Sequence, residues 1–238
     1  MNDLNSYDKI YIVIPALDPD THLLALTESL GEEGFSHILI VDDGTEEDRK
    51  QIFSRLPSFV TLITHDRNLG KGAALRTAFA ALSSEEIAGV VTADSDGQHR
   101  VQDIKRVADA LLCHPESLIL GERTFGENIP AKSLIGNRFS SRMLEKRHGI
   151  SLEDTQTGLR GIPKRFFPEL LEISCDRFEY EMEMLIVWGE RPIETVEIET
   201  VYENGENRGT HFRPVRDSVR VIRVLQKKRK KTEGRQEK

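Results

Sequence analysis

An α/β fold built on a parallel, doubly wound sheet is predicted by three features of this 238-residue chain. Short runs rich in Val and Ile alternate with stretches of helical period through the first half. Those strand-like runs end in Asp, Pro and Gly, and 38% hydrophobic with 31% charged residues suits one sizeable domain rather than two. In order, strands are expected at 10–14, 37–41, 59–64 and 87–91, each followed by a helix, at 21–33, 46–56, 71–82 and 101–112. The strands are too short for helices and bounded by turn residues, whereas the helices repeat their apolar residues three and four apart. Beyond them, 117–120 reads as a strand, 131–148 and 178–188 as helices, and 193–202 as a strand. From 214 to 225, Val215, Val219, Val221, Ile222 and Leu225 fall on one side of a helix, with Arg216, Arg220, Arg223 and Lys227 on another. That makes the C-terminal helix basic and amphipathic, a pattern that suits a bilayer surface or packing on the domain.

Composition removes several classes of function. No apolar run approaches the roughly 18 residues of a membrane span, and residues 1–9 are polar with no signal-peptide core, so a cytoplasmic location is expected. Cys113 and Cys175 lie far apart with no Cys-x-x-Cys, and read as reduced, buried thiols. Neither a His-Glu-x-x-His array nor a Gly-x-Ser-x-Gly elbow occurs, which sets zinc and serine hydrolysis aside. The net charge of −7 is uneven: from residue 213 onward 11 lysines and arginines stand against 3 acids, a surplus of eight, leaving the rest at −15. An acidic body with a basic tail argues against a general nucleic-acid binder and for an anionic surface as partner.

The chemistry gathers where strands end. Asp94-Ser95-Asp96-Gly97-Gln98-His99 follows an apolar strand, and an Asp-x-Asp pair at such a point suits a hard divalent cation shared with nucleotide phosphates. The plainer reading is an acidic turn. Asp42 and Asp43 precede a helical stretch, where carboxylates either favour the positive end of the helix dipole or accept hydrogen bonds from a base or ribose. Asn68-Leu69-Gly70-Lys71-Gly72-Ala73-Ala74 has the glycines of a phosphate loop but not the Walker A spacing, and alone reads as a Gly-rich turn with a solvated Lys71.

Five motifs in order, Ile14-Pro15-Ala16, Val41-Asp42-Asp43-Gly44-Thr45, Asn68-Leu69-Gly70-Lys71-Gly72, Asp94-Ser95-Asp96-Gly97-Gln98-His99 and Asp154-Thr155-Gln156-Thr157-Gly158-Leu159-Arg160, resemble glycosyltransferase family 2. The likeness is to its polyprenyl-phosphate branch, over roughly residues 10–225. It implies a GT-A fold: a single domain over 1–225, with a nucleotide-sugar half at about 8–121 and an acceptor half at about 122–225, then a disordered basic tail over 226–238. Pro15, Asp18 and Asp43, with Asp42 a second candidate, would lie around the base and ribose, and Lys71 near them. Asp94, Asp96 and Gln98 would hold Mg²⁺ or Mn²⁺ and the diphosphate, beside Ser95. Arg123 and Arg138 would bind the acceptor phosphate, although arginines of this kind are commonly surface residues. Asp154 falls where relatives with hydroxyl acceptors place a base. Arg208 and His211 would approach the donor phosphate.

The chain departs from the family at Pro15-Ala16-Leu17-Asp18-Pro19, where relatives read Pro-Ala-Tyr-Asn-Glu, so the base, uracil or guanine, stays open. Glu179, Glu181 and Glu183 read as structural, with Glu181 pointing away from the other two, and Trp188 reads as core. The expected activity is inverting, metal-dependent transfer of a hexose from a nucleotide sugar to polyprenyl phosphate. It is placed at the cytoplasmic membrane face, with room for an integral membrane partner. The rivals are a hydroxyl acceptor with Asp154 as base, a sugar-1-phosphate nucleotidyltransferase, and a non-catalytic nucleotide-binding module.

Overall fold

The structure, a computed structural model, describes residues 7–123, 131–199 and 214–227. Ile10, Ile12 and Ile14 of strand β1 (Ile10–Ala16) enter one apolar core, while Val13 and Tyr11 face the other. Side chains alternate along a strand, so a strand covered on both faces is apolar throughout. Strands β2 (Ile38–Asp42), β3 (Val60–Thr64) and β4 (Gly89–Thr92) join β1 in parallel, in the order β3-β2-β1-β4. Helices α1 (Thr21–Glu32) and α3 (Val101–Cys113) cover one face through Leu23, Leu30, Ile104 and Val107. Helix α2 (Lys71–Ala81) covers the other through Leu75, Ala78 and Phe79. These elements match the expected ones to within about two residues at their ends, the usual scatter of boundaries.

One expected helix is different. Residues 46–56 form only a 3-10 turn at Lys50–Arg55, none of whose side chains is buried. A short helix without an apolar face against the core has little to hold it, and Pro57 closes the segment.

Beyond β4 the sheet changes direction. Strand β5 (Leu118–Arg123) is separated from β4 by β6 (Arg160–Pro163), which runs antiparallel to both, and β7 (Ile193–Ile198) lies parallel to β5 at the edge. The seven-stranded sheet is therefore mostly, not wholly, parallel. The sequence reading lacked β6 because Arg-Gly-Ile-Pro is too short and too polar to show a period. It also lacked the five-residue α5 (Phe167–Leu171). Helices α4 (Ala131–His148), α6 (Glu179–Trp188) and α7 (Pro214–Gln226) pack on the α2 side, where Leu144, Leu185, Val224 and Leu225 share one core. The His148 ring donates from Nε2 to the Leu225 carbonyl at 3.1 Å, joining the ends of α4 and α7.

The helix over 214–226 thus packs on the domain. Trp188 is buried, as expected, and its indole N–H donates to the Pro192 carbonyl at 2.9 Å. Cys113 is a correction: both cysteines are free, but Cys113 is exposed and Cys175 only half-buried, because the last turn of α3 runs out past the core. No helix among the described residues is long and apolar enough to cross a membrane.

Candidate active site

A cleft of about 400 Å³ opens at the carboxyl ends of β1, β2 and β4. Parallel strands end together, so the turns that follow them converge there. Pro15, Asp18, Asp43, Lys71, Asp94, Ser95 and Asp96 all line it. Arg177 and Phe178, from the turn before α6, line it as well. Neither was singled out from the sequence; the only signal was their position at the head of the Glu-rich helix.

Lys71 is the centre of charge. Its side chain is 14% exposed, and its ammonium lies 2.7 Å from Asp94 Oδ1 and 3.0 Å from Glu181 Oε2. It is therefore not the solvated lysine of a Gly-rich turn. Burial works against the ammonium, but the two carboxylates outweigh it and hold the Lys71 pKa above its ordinary value. Burial likewise opposes the Asp94 carboxylate, yet Lys71, aided by His99, holds it well below the usual range. His99 Nε2 lies 3.5 Å from Asp94 Oδ2. Burial, followed by the charge of Asp94, raises Asp96 instead. Asp96 Oδ1 accepts the Gln98 N–H at 3.1 Å, which turns the loop and leaves Gln98 outside the lining of the cleft.

Glu181, read from the sequence as structural, is the second partner of Lys71, behind the residues that line the cleft. Its side chain is buried, and Oε1 has no hydrogen-bond partner. The helical spacing did separate it from Glu179 and Glu183, as expected: Glu183 instead binds Lys227 and receives the Cys175 thiol.

Gly70, which caps α2, and Gly72, in its first turn, serve chain packing. A side chain at Gly70, whose φ is +112°, or at Gly72 would collide with the 176–180 segment. The Ala73 N–H donates to Asp176 O at 2.9 Å, and the Arg76 guanidinium donates to the Ile173 carbonyl at 3.0 Å. Asp43 anchors the loop before α2: Oδ1 accepts the Leu69 N–H at 2.9 Å and Oδ2 the Gly70 N–H at 2.8 Å, while Oδ1 also lies 2.9 Å from His65 Nδ1. Asp42 is buried below the cleft, where Oδ1 accepts the Thr45 N–H at 2.8 Å and caps the turn. Asp18 has φ of +46°, uncommon for a residue with a side chain, and its Oδ1 accepts the Glu46 N–H at 3.1 Å. That contact fixes the floor of the cleft between β1 and β2.

The expected acceptor residues gather partly. Arg123, at the end of β5, grips Asp154 with Nε at 2.5 Å and a second nitrogen at 2.8 Å, in a forked pair on a carboxylate only 1% exposed. Asn137 of α4 holds the adjacent loop, donating to the Glu153 carbonyl at 2.6 Å and accepting the Thr155 N–H at 3.0 Å. Arg138, next along that helix, points to solvent. Arg160 is buried and donates to the carbonyls of Thr157 and Glu181 at 3.0 and 2.7 Å, tying the 154–160 motif to α6. Gly158 lies so close to the Asp94 carboxylate that a side chain there would meet it. Arg208 and His211 lie outside the described residues.

Among the described residues no three His, Cys, Asp or Glu side chains gather around one point. A cation of the Mg²⁺ kind commonly takes one or two carboxylates and completes its shell with phosphate oxygens. Asp94 and Asp96 give the cleft two carboxylates, which fits that mode.

A mostly parallel sheet flanked by helices, with an acidic pair in the cleft at its strand ends, defines the GT-A class. Glucosyl-3-phosphoglycerate synthase from Mycobacterium tuberculosis, solved with Mn²⁺, UDP and phosphoglyceric acid, has this fold. It matches with a TM-score of 0.68 over 91% of this chain and 77% of that one, at 19% identity. The glycosyl transferase family 2 model matches residues 11–171, and the chain belongs to that family and is a glycosyltransferase. An uncharacterized protein of Methanocaldococcus jannaschii is 27% identical over 219 residues, 89% of each chain. A UDP-N-acetylglucosamine–dolichyl-phosphate N-acetylglucosaminyltransferase of Methanococcus voltae is 27% identical over 225 residues, 83% of this chain and 90% of that one. The second name falls in the branch that the motifs resemble.

Proposed function

We propose that this chain transfers a hexose from a nucleoside diphosphate sugar, UDP- or GDP-linked, to polyprenyl phosphate at the cytoplasmic face of a membrane, with inversion and with Mg²⁺ or Mn²⁺. The carrying observation is the cleft in which Asp94 and Asp96 meet Lys71 at the strand ends. The Methanococcus voltae relative, named for dolichyl phosphate, supports the acceptor class. A divalent cation bound by Asp94 and Asp96 would neutralise charge on the leaving diphosphate.

The residues of the chain do the remaining work. Pro15, Ala16, Leu17 and Asp18 form the wall against which a base and ribose would lie. The Lys71 ammonium, kept charged by its two carboxylates, offers a donor to phosphate oxygens. Arg123, kept in place by Asp154, offers positive charge on the acceptor side, with exposed Arg138 farther out on α4. An acceptor phosphate oxygen attacks the anomeric carbon as the bond from that carbon to the diphosphate breaks. The products are a sugar phosphodiester and a nucleoside diphosphate. The acceptor is already ionised, so no base is needed.

Asp154 argues against a hydroxyl acceptor. A carboxylate 1% exposed and gripped by a forked arginine is poorly placed to take a proton from an incoming hydroxyl. The test is transfer from UDP- and GDP-sugars to a short prenyl phosphate with Mn²⁺, beside the Asp154→Asn variant. Retained transfer to the phosphate by the variant is expected. Transfer to a saccharide hydroxyl that Asp154→Asn abolishes would replace this reading.

A further inference from the structure

We infer that the outer face of α4, with the neighbouring face of α7, is a docking surface for an anionic lipid bilayer, with Ile135 and Phe139 as the side chains that enter it. The inference rests on the polyprenyl-phosphate reading for its purpose, and on the exposed surface for its evidence. Ile135 is 69% exposed, Phe139 46% and Val219 42%, whereas the apolar residues of the core are almost wholly buried. On α4, Ile135, Arg138, Phe139 and Arg142 are spaced three and four apart, so they form one stripe. Asn137, Ser140, Leu144 and His148 form the opposite, buried stripe.

Charge selects the occupant. Helix α4 carries five lysines and arginines against the single acid Glu145, in a chain whose net charge is −7. On α7, Arg216, Arg220 and Arg223 surround Val219, while the one acid of that helix, Asp217, is buried and bound to Arg220 at 3.1 Å. Leu144 of α4 and Val224 and Leu225 of α7 enter the same core, so the stripes opposite them turn outward on the same side of the molecule. Exposed apolar side chains amid arginines suit a bilayer of anionic headgroups: the rings and branched chains enter the acyl boundary and the guanidinium groups stay at the phosphates. A stable protein interface buries a larger continuous patch with a fully apolar centre than these three side chains provide.

The placement serves the reaction. The inner side of α4, through Asn137, holds the loop of Asp154 and hence Arg123. A bilayer against the outer side would present a lipid phosphate to the acceptor half.

The test is flotation of the full chain with phosphatidylcholine vesicles, with and without phosphatidylglycerol, for wild type and for Ile135→Ser/Phe139→Ser, with turnover of a short, water-soluble prenyl phosphate in parallel. The expected result is binding that requires phosphatidylglycerol, weakens with salt, and falls about tenfold in the double variant while soluble turnover is unchanged. Unchanged vesicle binding in a variant that keeps its melting temperature overturns the inference. So does light scattering that finds wild-type dimers, variant monomers and equal vesicle binding, which would assign the face to a second copy. A milder pair, Ile135→Ala/Phe139→Leu, gives the same reading if the serine variant does not fold. Binding that falls as expected, in a protein that never glycosylates prenyl phosphate, would uphold the surface and overturn the acceptor reading alone.

Discussion

Lys71 lies between the carboxylates of Asp94 and buried Glu181, which would otherwise repel each other. Replacing it with Met should cost about 2–3 kcal/mol in urea unfolding at pH 7, somewhat below the roughly 3–5 kcal/mol of a fully buried pair, because Asp94 is partly open. The sign of the pH dependence follows from the shifts. Asp94 is depressed, so its contribution is present above its unfolded pKa and is lost only as pH falls through the lower folded value. Lys71 is raised, so its contribution is present below its unfolded pKa and is lost as pH rises through the folded one. In the variant Asp94 loses the cation that depresses it and can protonate in milder acid, so the gap from wild type should narrow between about pH 7 and pH 4. A constant gap across that range would contradict the ion-pair account. Asp96 is different: burial and Asp94 raise it, so its charge costs stability in the folded state. Asp96→Ala should therefore leave the melting temperature unchanged or higher, while transfer falls at least about a hundredfold. Lost activity together with lost stability would make Asp96 structural. The Asp94-Ser95-Asp96 run was legible in the sequence, but the link from Lys71 to Glu181 was not, since a glutamate in a Glu-rich helix offers no local sign of its partner.

The loop of the 154–160 motif and the end of β5 act as one element, because Arg123 and Asp154 hold each other and Arg160 fastens the loop to α6. Arg123→Ala alone should destabilise by about 3 kcal/mol, since it leaves a buried carboxylate unpaired. With Asp154→Asn added, much of that should return, and acceptor use should stay impaired. Equal stability in the single and double variants would show that the pair is not coupled. Gly158→Ala should act on the cleft from this same element: its new methyl group meets the Asp94 carboxylate, so Mn²⁺ binding followed by electron paramagnetic resonance should weaken more than overall stability does. Normal Mn²⁺ affinity in that variant would separate the loop from the cation. At this scale the long periodic elements were legible, α3 and α6 among them. The 46–56 segment and β6 were not, because exposure undid a helical pattern in one and pairing on both sides created a strand from four residues in the other.

For the whole molecule the expectation concerns linkage. A nucleotide that binds the native state at about a hundred times its Kd adds about 2.7 kcal/mol, roughly 5–10 °C in a domain of this size. UDP or GDP with Mn²⁺ should produce such a shift in scanning fluorimetry, and excess chelator should remove most of it. A shift that is full in chelator would overturn the cation's part in donor binding. The same screen decides between the bases, which the departure at Leu17-Asp18-Pro19 leaves open.

By itself the sequence determined the succession of strands and helices and the acidic turns at the strand ends. Period and turn chemistry are written in neighbouring residues, so a local reading recovers them. The ordered motifs were local too, and led to the family. Only the tertiary structure decided what each acid does. Asp43 lines the cleft but is spent on anchoring the loop before α2, Asp42 caps a turn, Asp154 holds Arg123, and Asp94 pairs with Lys71 in the cleft beside Asp96. These roles depend on which distant segments the sheet order brings together, and a carboxylate's chemistry is set by the neighbour it meets.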